Sequence, residues 1–343
     1  MNITDSIQPS TAARAPWRLC VAPMLDWTDR HCRYFHRLLA PHARLYTEMV
    51  VAQAVIHGDR TRLLGFDPAE HPLALQLGGA EPDDLARAAR IGAEAGYDEI
   101  NLNVGCPSDR VQSGRFGACL MREPARVRAC VAAMRGAVAH TAARVSVKCR
   151  IGVDEQDEDA GLDAFIDSVH AGGCQVFIVH ARKAWLQGLS PKENREIPPL
   201  NYARVYRLKR EHPYLTILIN GGIVTVDEVH EHVRHVDGVM LGRAAYHEPY
   251  RLAQIEHALT GTPLPDRDDV LMALRRYVED HLAHGGRLHH ITRHILGLYQ
   301  GLPRARAFRR VLSEQAQRAG AGWEVVEQAL AARRGESCGR AAG

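Results

Sequence analysis

Two asparagines and a cysteine stand close together in Ile100-Asn101-Leu102-Asn103-Val104-Gly105-Cys106-Pro107-Ser108. Glu99 to Val104 alternates as a strand does, and the Gly-Cys-Pro that follows ends it in a turn. Alternation puts both amides on one face, beside a thiol on backbone that Gly105 lets a ligand approach. A thiol there can protonate or attack a substrate; the plain alternative is a buried structural cysteine. Lys148 and His180 lie at the ends of two further strand-like segments. The lysine offers a fixed charge for a developing anion, or an amine for a Schiff base. The histidine is a polar contact for a ligand or a satisfied structural residue.

Such residues need a scaffold that gathers strand ends. Eight short segments alternate with alanine- and leucine-rich helical stretches: Leu19–Met24, Leu45–Met49, Leu73–Leu77, Glu99–Val104, Val145–Arg150, Gln175–His180, Thr216–Asn220 and Gly238–Leu241. This cadence predicts a (β/α)8 barrel, with its chemistry at the C-terminal ends of the strands. An open doubly wound sheet is the alternative, but no G-x-G-x-x-G follows the first segment. In order, the strand ends carry Pro23-Met24, Glu48, Gln76, Asn103 and Cys106, Lys148 and Arg150, His180 and Arg182, Asn220-Gly221-Gly222, and Gly242-Arg243. Glycines after the seventh and eighth strands mark a place where barrels bind phosphate, and Arg243 adds charge to it. A long connection, Ala181 to Leu200, carries three prolines with Arg182, Lys183, Lys192 and Arg195, as a functional loop or as plain packing on the barrel.

Hydrophobic residues make up 46% and charged residues 24% of the 343 positions, a globular balance with room for a large barrel and a small second domain. Apolar runs are too short to span a membrane, and residues 1–15 lack a signal-peptide core. The eight cysteines form no C-x-x-C pair, so neither a metal site nor a disulfide framework is expected, and a cytoplasmic protein with free thiols is. After Gly261 the pattern becomes helical only, with helices expected at Val270–His281, Leu288–Leu298, Ala305–Ala316 and Trp323–Ala332. Residues 281–318 hold seven arginines, no lysine and a single acid, Glu314. That run suits either a phosphate-facing patch or a solvated helix face. The expected organisation is a flexible tail at 1–16, a barrel over 17–260, a small C-terminal all-helical bundle over 265–334 and a frayed end at 335–343.

The chain resembles the tRNA-dihydrouridine synthases, specifically their bacterial A-type branch. The motifs that carry the resemblance are APMLDWTDRHCRYFHR (22–37), LYTEMV (45–50), ALQLGG (74–79), YDEINLNVGCPSDRVQSGRFGACLM (97–121), HARKAWLQGLSPKENREIPPL (180–200), INGGI (219–223) and DGVMLGR (237–243), with TRHILGLYQG and ARAFRR within 292–310. Cys149 departs from the threonine or serine expected after Lys148. The resemblance implies an FMN-dependent enzyme that uses NADPH to reduce the C5–C6 double bond of D-loop uridines in tRNA, at positions 20 and 20a. It places Pro23, Met24, Leu25 and Gln76 around the flavin ring, with Lys148 and His180 beside it. Asn220, Gly221, Gly222, Gly242 and Arg243 would hold the ribityl phosphate, and Cys106 would donate the proton. Asn103, Lys192, Arg195, Arg306 and Arg309 would contact tRNA. No metal, membrane or protein partner is implied. A reductase of a free pyrimidine is the competing reading, against which the arginine-rich bundle counts.

Overall fold

The computed structural model describes residues 16–108, 111 and 114–336. Eight strands close into a barrel, β1 to β8, each parallel to both neighbours. They are β1 Leu19–Val21, β2 Arg44–Val51, β3 Leu73–Gly78, β4 Glu99–Val104, β5 Arg144–Arg150, β6 Val176–His180, β7 Thr216–Asn220 and β8 Gly238–Leu241. Strands such as β6 (VFIVH) are buried along their whole length. That follows from parallel pairing, which leaves helices to cover the outer face. β1 is shorter than its apolar run, because Met24 already belongs to a turn whose carbonyl accepts the N–H groups of Trp27 and Thr28.

Register carries the chemistry to one end. Asn103 lies opposite Lys148, Arg150 opposite His180, and His180 opposite Asn220, so these side chains share the last rungs of four adjacent strands. Below them Cys20, Ala22, Tyr46, Ala74, Val176, Ile178, Leu218 and Met240 form an apolar cluster. Local signals set the helices between strands. Pro82 opens the helix Pro82–Glu94, and Thr225 and Glu228 form a reciprocal capping box at the start of Val226–His232.

A second compact unit consists of Asp29–Pro41 together with the chain from Arg243 onward, while the barrel unit takes His42–Gly242 and the residues before Asp29. The division by packing therefore differs from a barrel running through residue 260. The helix Arg30–Leu39 buries Phe35 and Leu39 in the same core as Ala253, Val278, Ile291 and Phe308. Its apolar face is satisfied there. The expected helix Val270–His281 is two helices, Arg267–Ala273 and Arg275–Ala283. Between them the Leu274 N–H is shared by the carbonyls of Val270 and Leu271, at 3.3 and 3.2 Å, a local tightening that apolar periodicity does not reveal. The tail expected at 1–16 lies outside the described residues except for Pro16, and so does the expected frayed end after Glu336. Among the described residues no helix is long and apolar enough to cross a membrane, and no group of three or more His, Cys, Asp or Glu is placed to hold a metal ion.

Candidate active site

Asn103 shapes the turn that carries Cys106. Its Oδ1 accepts the N–H groups of Gly105 at 3.1 Å and Cys106 at 3.0 Å, and its Nδ2 donates to Gln76 Oε1 at 2.8 Å. These bonds use the amide oxygen and one amide hydrogen, and leave a second hydrogen for a ligand. The relay continues into the barrel. Gln76 donates to Asn101 (2.7 Å), Asn101 to Ser146 (2.7 Å), and Ser146 to the carboxylate of Glu99. Every donor points the same way, toward a buried anion, so each bond polarises the next. Glu99 also accepts from Tyr46 at 2.7 Å and Trp17 at 2.6 Å, and has Arg44 at 3.5 Å. Its charge is thus matched and hydrogen-bonded where it is fully buried.

The Cys106 side chain is half-buried, with its sulfur 3.6 Å from the Ser108 hydroxyl. Its carbonyl accepts the Ala118 N–H at 2.9 Å, next to Gly117 at φ +78°. A Cβ on Gly117 would lie 2.6 Å from that carbonyl, so glycine is what lets the two segments meet.

Across the mouth, Lys148 Nζ donates to Asn220 Oδ1 at 3.1 Å, and Asn220 Nδ2 donates to the Met240 carbonyl at 2.7 Å. Burial, reinforced by Arg150, pushes the Lys148 ammonium down to about 8. At neutral pH the ammonium still carries its charge, and an anion beside it would raise that value again. Burial also holds His180 neutral, well below the ordinary imidazole range, and Arg150, Lys148, Arg182 and Arg195 act in the same direction. The mouth is therefore electropositive around an uncharged ring. Cys149, on the opposite side of the strand from Lys148, is buried and pushed up to about 12, a packing thiol.

The loops after β7 and β8 have little side chain. Gly221 and Gly222 take φ of +115° and +72°. A Cβ on Gly221 would lie 2.6 Å from His180 Cδ2, and one on Gly222 would lie 2.6 Å from Leu200 Cδ1. Tyr202 fixes this turn by donating to the Gly221 carbonyl at 2.8 Å. At Gly242 an added Cβ would meet no atom within 4 Å. Pro23 and Met24 are half-buried at the end of β1, and Met24 packs on the apolar cluster, whereas Leu25 is 70% exposed. Arg243, the residue after Gly242, opens the helical unit, which also holds Arg306 and Arg309.

The 181–200 connection is a built loop. Asn194, fully buried, donates to the carbonyls of Trp185 (2.9 Å) and Leu189 (3.1 Å) and accepts the Trp185 N–H at 2.7 Å. It stands between Lys192 and Arg195, both exposed. Sequence reasoning passes over Asn194, Tyr202, Glu99 and, as a site residue, Arg150. For Arg150 a signal is present: in Lys148-Cys149-Arg150, alternation returns it to the side of Lys148.

A family model described as dihydrouridine synthase (Dus) matches residues 20–334. Among curated relatives, a tRNA-dihydrouridine(20/20a) synthase of Xanthomonas axonopodis pv. citri (strain 306) is 64% identical over 316 residues, which is 92% of this chain and 94% of the relative. Proteins of the same name from Shewanella oneidensis and Vibrio cholerae are 60% and 58% identical, covering 90% and 92% of this chain and 92% and 96% of their own lengths. With the match running from β1 through the last helix, and so including every residue of the mouth, the chain belongs to the dihydrouridine synthase family of oxidoreductases.

Proposed function

We propose that this enzyme reduces uridines at positions 20 and 20a of the tRNA D-loop, with FMN held at the barrel mouth and NADPH as the electron donor. The observation that carries this reading is the Cys106 turn, locked by Asn103, at an electropositive mouth that holds the buried cation Lys148. The positions come from the shared name of the relatives. The residues suit a flavin phosphate. Gly221 and Gly222 turn the chain at positive φ, with Gly222 exposed, and at Gly242 the protein itself makes no demand for glycine, so the space is available to a ligand. Asn220 and these glycines would hold the phosphate, with the charge of Arg243 following along the chain. Pro23, Met24, Leu25, Gln76, Lys148 and His180 would surround the ring.

Bound and reduced, FMN supplies a hydride. Lys148 would balance negative charge on the ring, and neutral His180 would offer a hydrogen bond without adding repulsion. Cys106 would give its S–H proton to the carbon of the uracil double bond that does not receive the hydride. For the RNA, Lys192 and Arg195 on the barrel unit and Arg306 and Arg309 on the helical unit would grip phosphates, and Asn103 would use its remaining amide hydrogen. Arg306 and Arg309 line a groove of about 270 Å³ with Gln300, Leu302 and Arg304. A uridine inside folded tRNA must swing out to reach such a mouth.

The test begins with purified protein, which should be yellow, release flavin with the mass of FMN on denaturation, and oxidise NADPH. Colourless protein that does not take up FMN would end the cofactor assignment.

A further inference from the structure

Arg150 ends β5 and is buried, at 3% exposure. It is committed to three backbone carbonyls on two separate segments. Nε donates to Gly105 at 3.1 Å, and Nη1 donates to Lys183 at 3.0 Å and Asn194 at 2.9 Å. The first carbonyl belongs to the residue before Cys106. The other two belong to the loop that presents Lys192 and Arg195. A buried guanidinium keeps its charge at neutral pH, because even its lowered value, about 10, leaves it protonated.

We propose that Arg150 is a positioning residue for proton transfer: it clamps the Cys106 turn to the 181–200 loop and lays a permanent positive charge beside the thiolate that the transfer leaves. This rests on the reading of Cys106 as proton donor. The S–H bond of Cys106 breaks and its proton joins one carbon of the uracil double bond, while a hydride from reduced flavin joins the other. Uridine gains two hydrogens and two electrons, the flavin is oxidised, and the cysteine is left as thiolate. Water returns the proton after product leaves. Charge on the thiolate is the step's cost, and the fixed cation next to it lowers that cost. Lys148 cannot serve alone, since it is also the ring-side cation. Because the clamp ends at Asn194, a loop displaced from its seat would release the turn as well.

The test uses the full-length protein and two variants. Alkylation of Cys106 by iodoacetamide is followed against pH by peptide mass spectrometry, which needs neither flavin nor RNA. In Arg150→Met the alkylation midpoint should rise. Dihydrouridine formation should fall about tenfold or more, a much larger factor than any loss in flavin reduction by NADPH. Arg150→Lys keeps the charge without the three-way clamp. It should hold the midpoint and still lose about threefold in product formation, and it decides the matter if the methionine variant does not fold. An unmoved midpoint in Arg150→Met overturns the electrostatic role, and parent-like product formation in Arg150→Lys overturns the clamp. A raised midpoint with undiminished product in Arg150→Met would instead remove Cys106 as proton donor, and the proposal with it.

Discussion

Replacing Cys106 by alanine removes a proton and leaves the glycine loops after β7 and β8 untouched. The variant should retain flavin and oxidise NADPH at the parent's rate, yet form dihydrouridine at least about a hundredfold more slowly. Product at near-parent rates would assign the proton to water or another acid. Gly242 offers a complementary test, because an alanine there meets no protein atom within 4 Å. With flavin removed from both proteins, Gly242→Ala should melt within a degree or so of the parent, since a change without packing cost is worth about ±0.5 kcal/mol. It should nonetheless lose its yellow colour on dialysis, because the added methyl would occupy the phosphate's space. Retained flavin in a stable variant would move the phosphate elsewhere. Glu99 belongs to the same scale, though it lies below the mouth. Tyr46, Ser146, Trp17 and Arg44 all converge on its carboxylate, so Glu99→Ala should destabilise the protein by about 3–5 kcal/mol in a denaturant titration.

Among the elements, the 181–200 loop and the helix Arg30–Leu39 both bury polar residues with testable consequences. Asn194→Ala removes the buried amide that ties Trp185 to Leu189, and tryptic cleavage after Lys192 or Arg195 should accelerate while flavin stays bound. Unchanged cleavage would mean the loop is held by its apolar packing. In the helix, burial pushes His36 down to about 3. Its ordinary pKa is roughly 6.5, so as pH falls below that value the unfolded chain takes up a proton that the folded chain refuses. Stability should therefore be flat above pH 7 and fall on acidification, by about 1.4 kcal/mol at pH 5.5 from this group alone. His36→Gln should flatten the decline seen in thermal melts, and an identical decline would remove the effect. Much at this scale is legible in the sequence. β4, β7 and β8 begin and end where alternation and turn residues put them, and the Gly-Gly turn stands at the strand end that barrel cadence predicts. What stays hidden depends on partners distant along the chain. The apolar stripe of Arg30–Leu39 does not say which core it faces, and nothing near Arg150 announces that Gly105, Lys183 and Asn194 will turn their carbonyls toward it.

At the scale of the whole molecule, the proposed function gives substrate recognition to charges on both compact units. Arg306 and Arg309 lie three apart on the helix Ala305–Gln315 and share a face. Their double alanine variant should keep flavin and NADPH oxidation but bind tRNA more weakly. The slope of log affinity against log salt should flatten by about one unit for each phosphate that the variant no longer neutralises. A parent-like slope would reduce the patch to a solvated helix surface. The central claim is the reaction itself, and the most direct measurement is dihydrouridine mapping by mass spectrometry. tRNA from cells lacking this protein would be incubated with the purified, flavin-loaded enzyme and NADPH, and every position read. Positions 20 and 20a should each change from uridine to a nucleoside heavier by two hydrogens. If both remain uridine while the yellow enzyme is reduced by NADPH, the proposed substrate positions are contradicted.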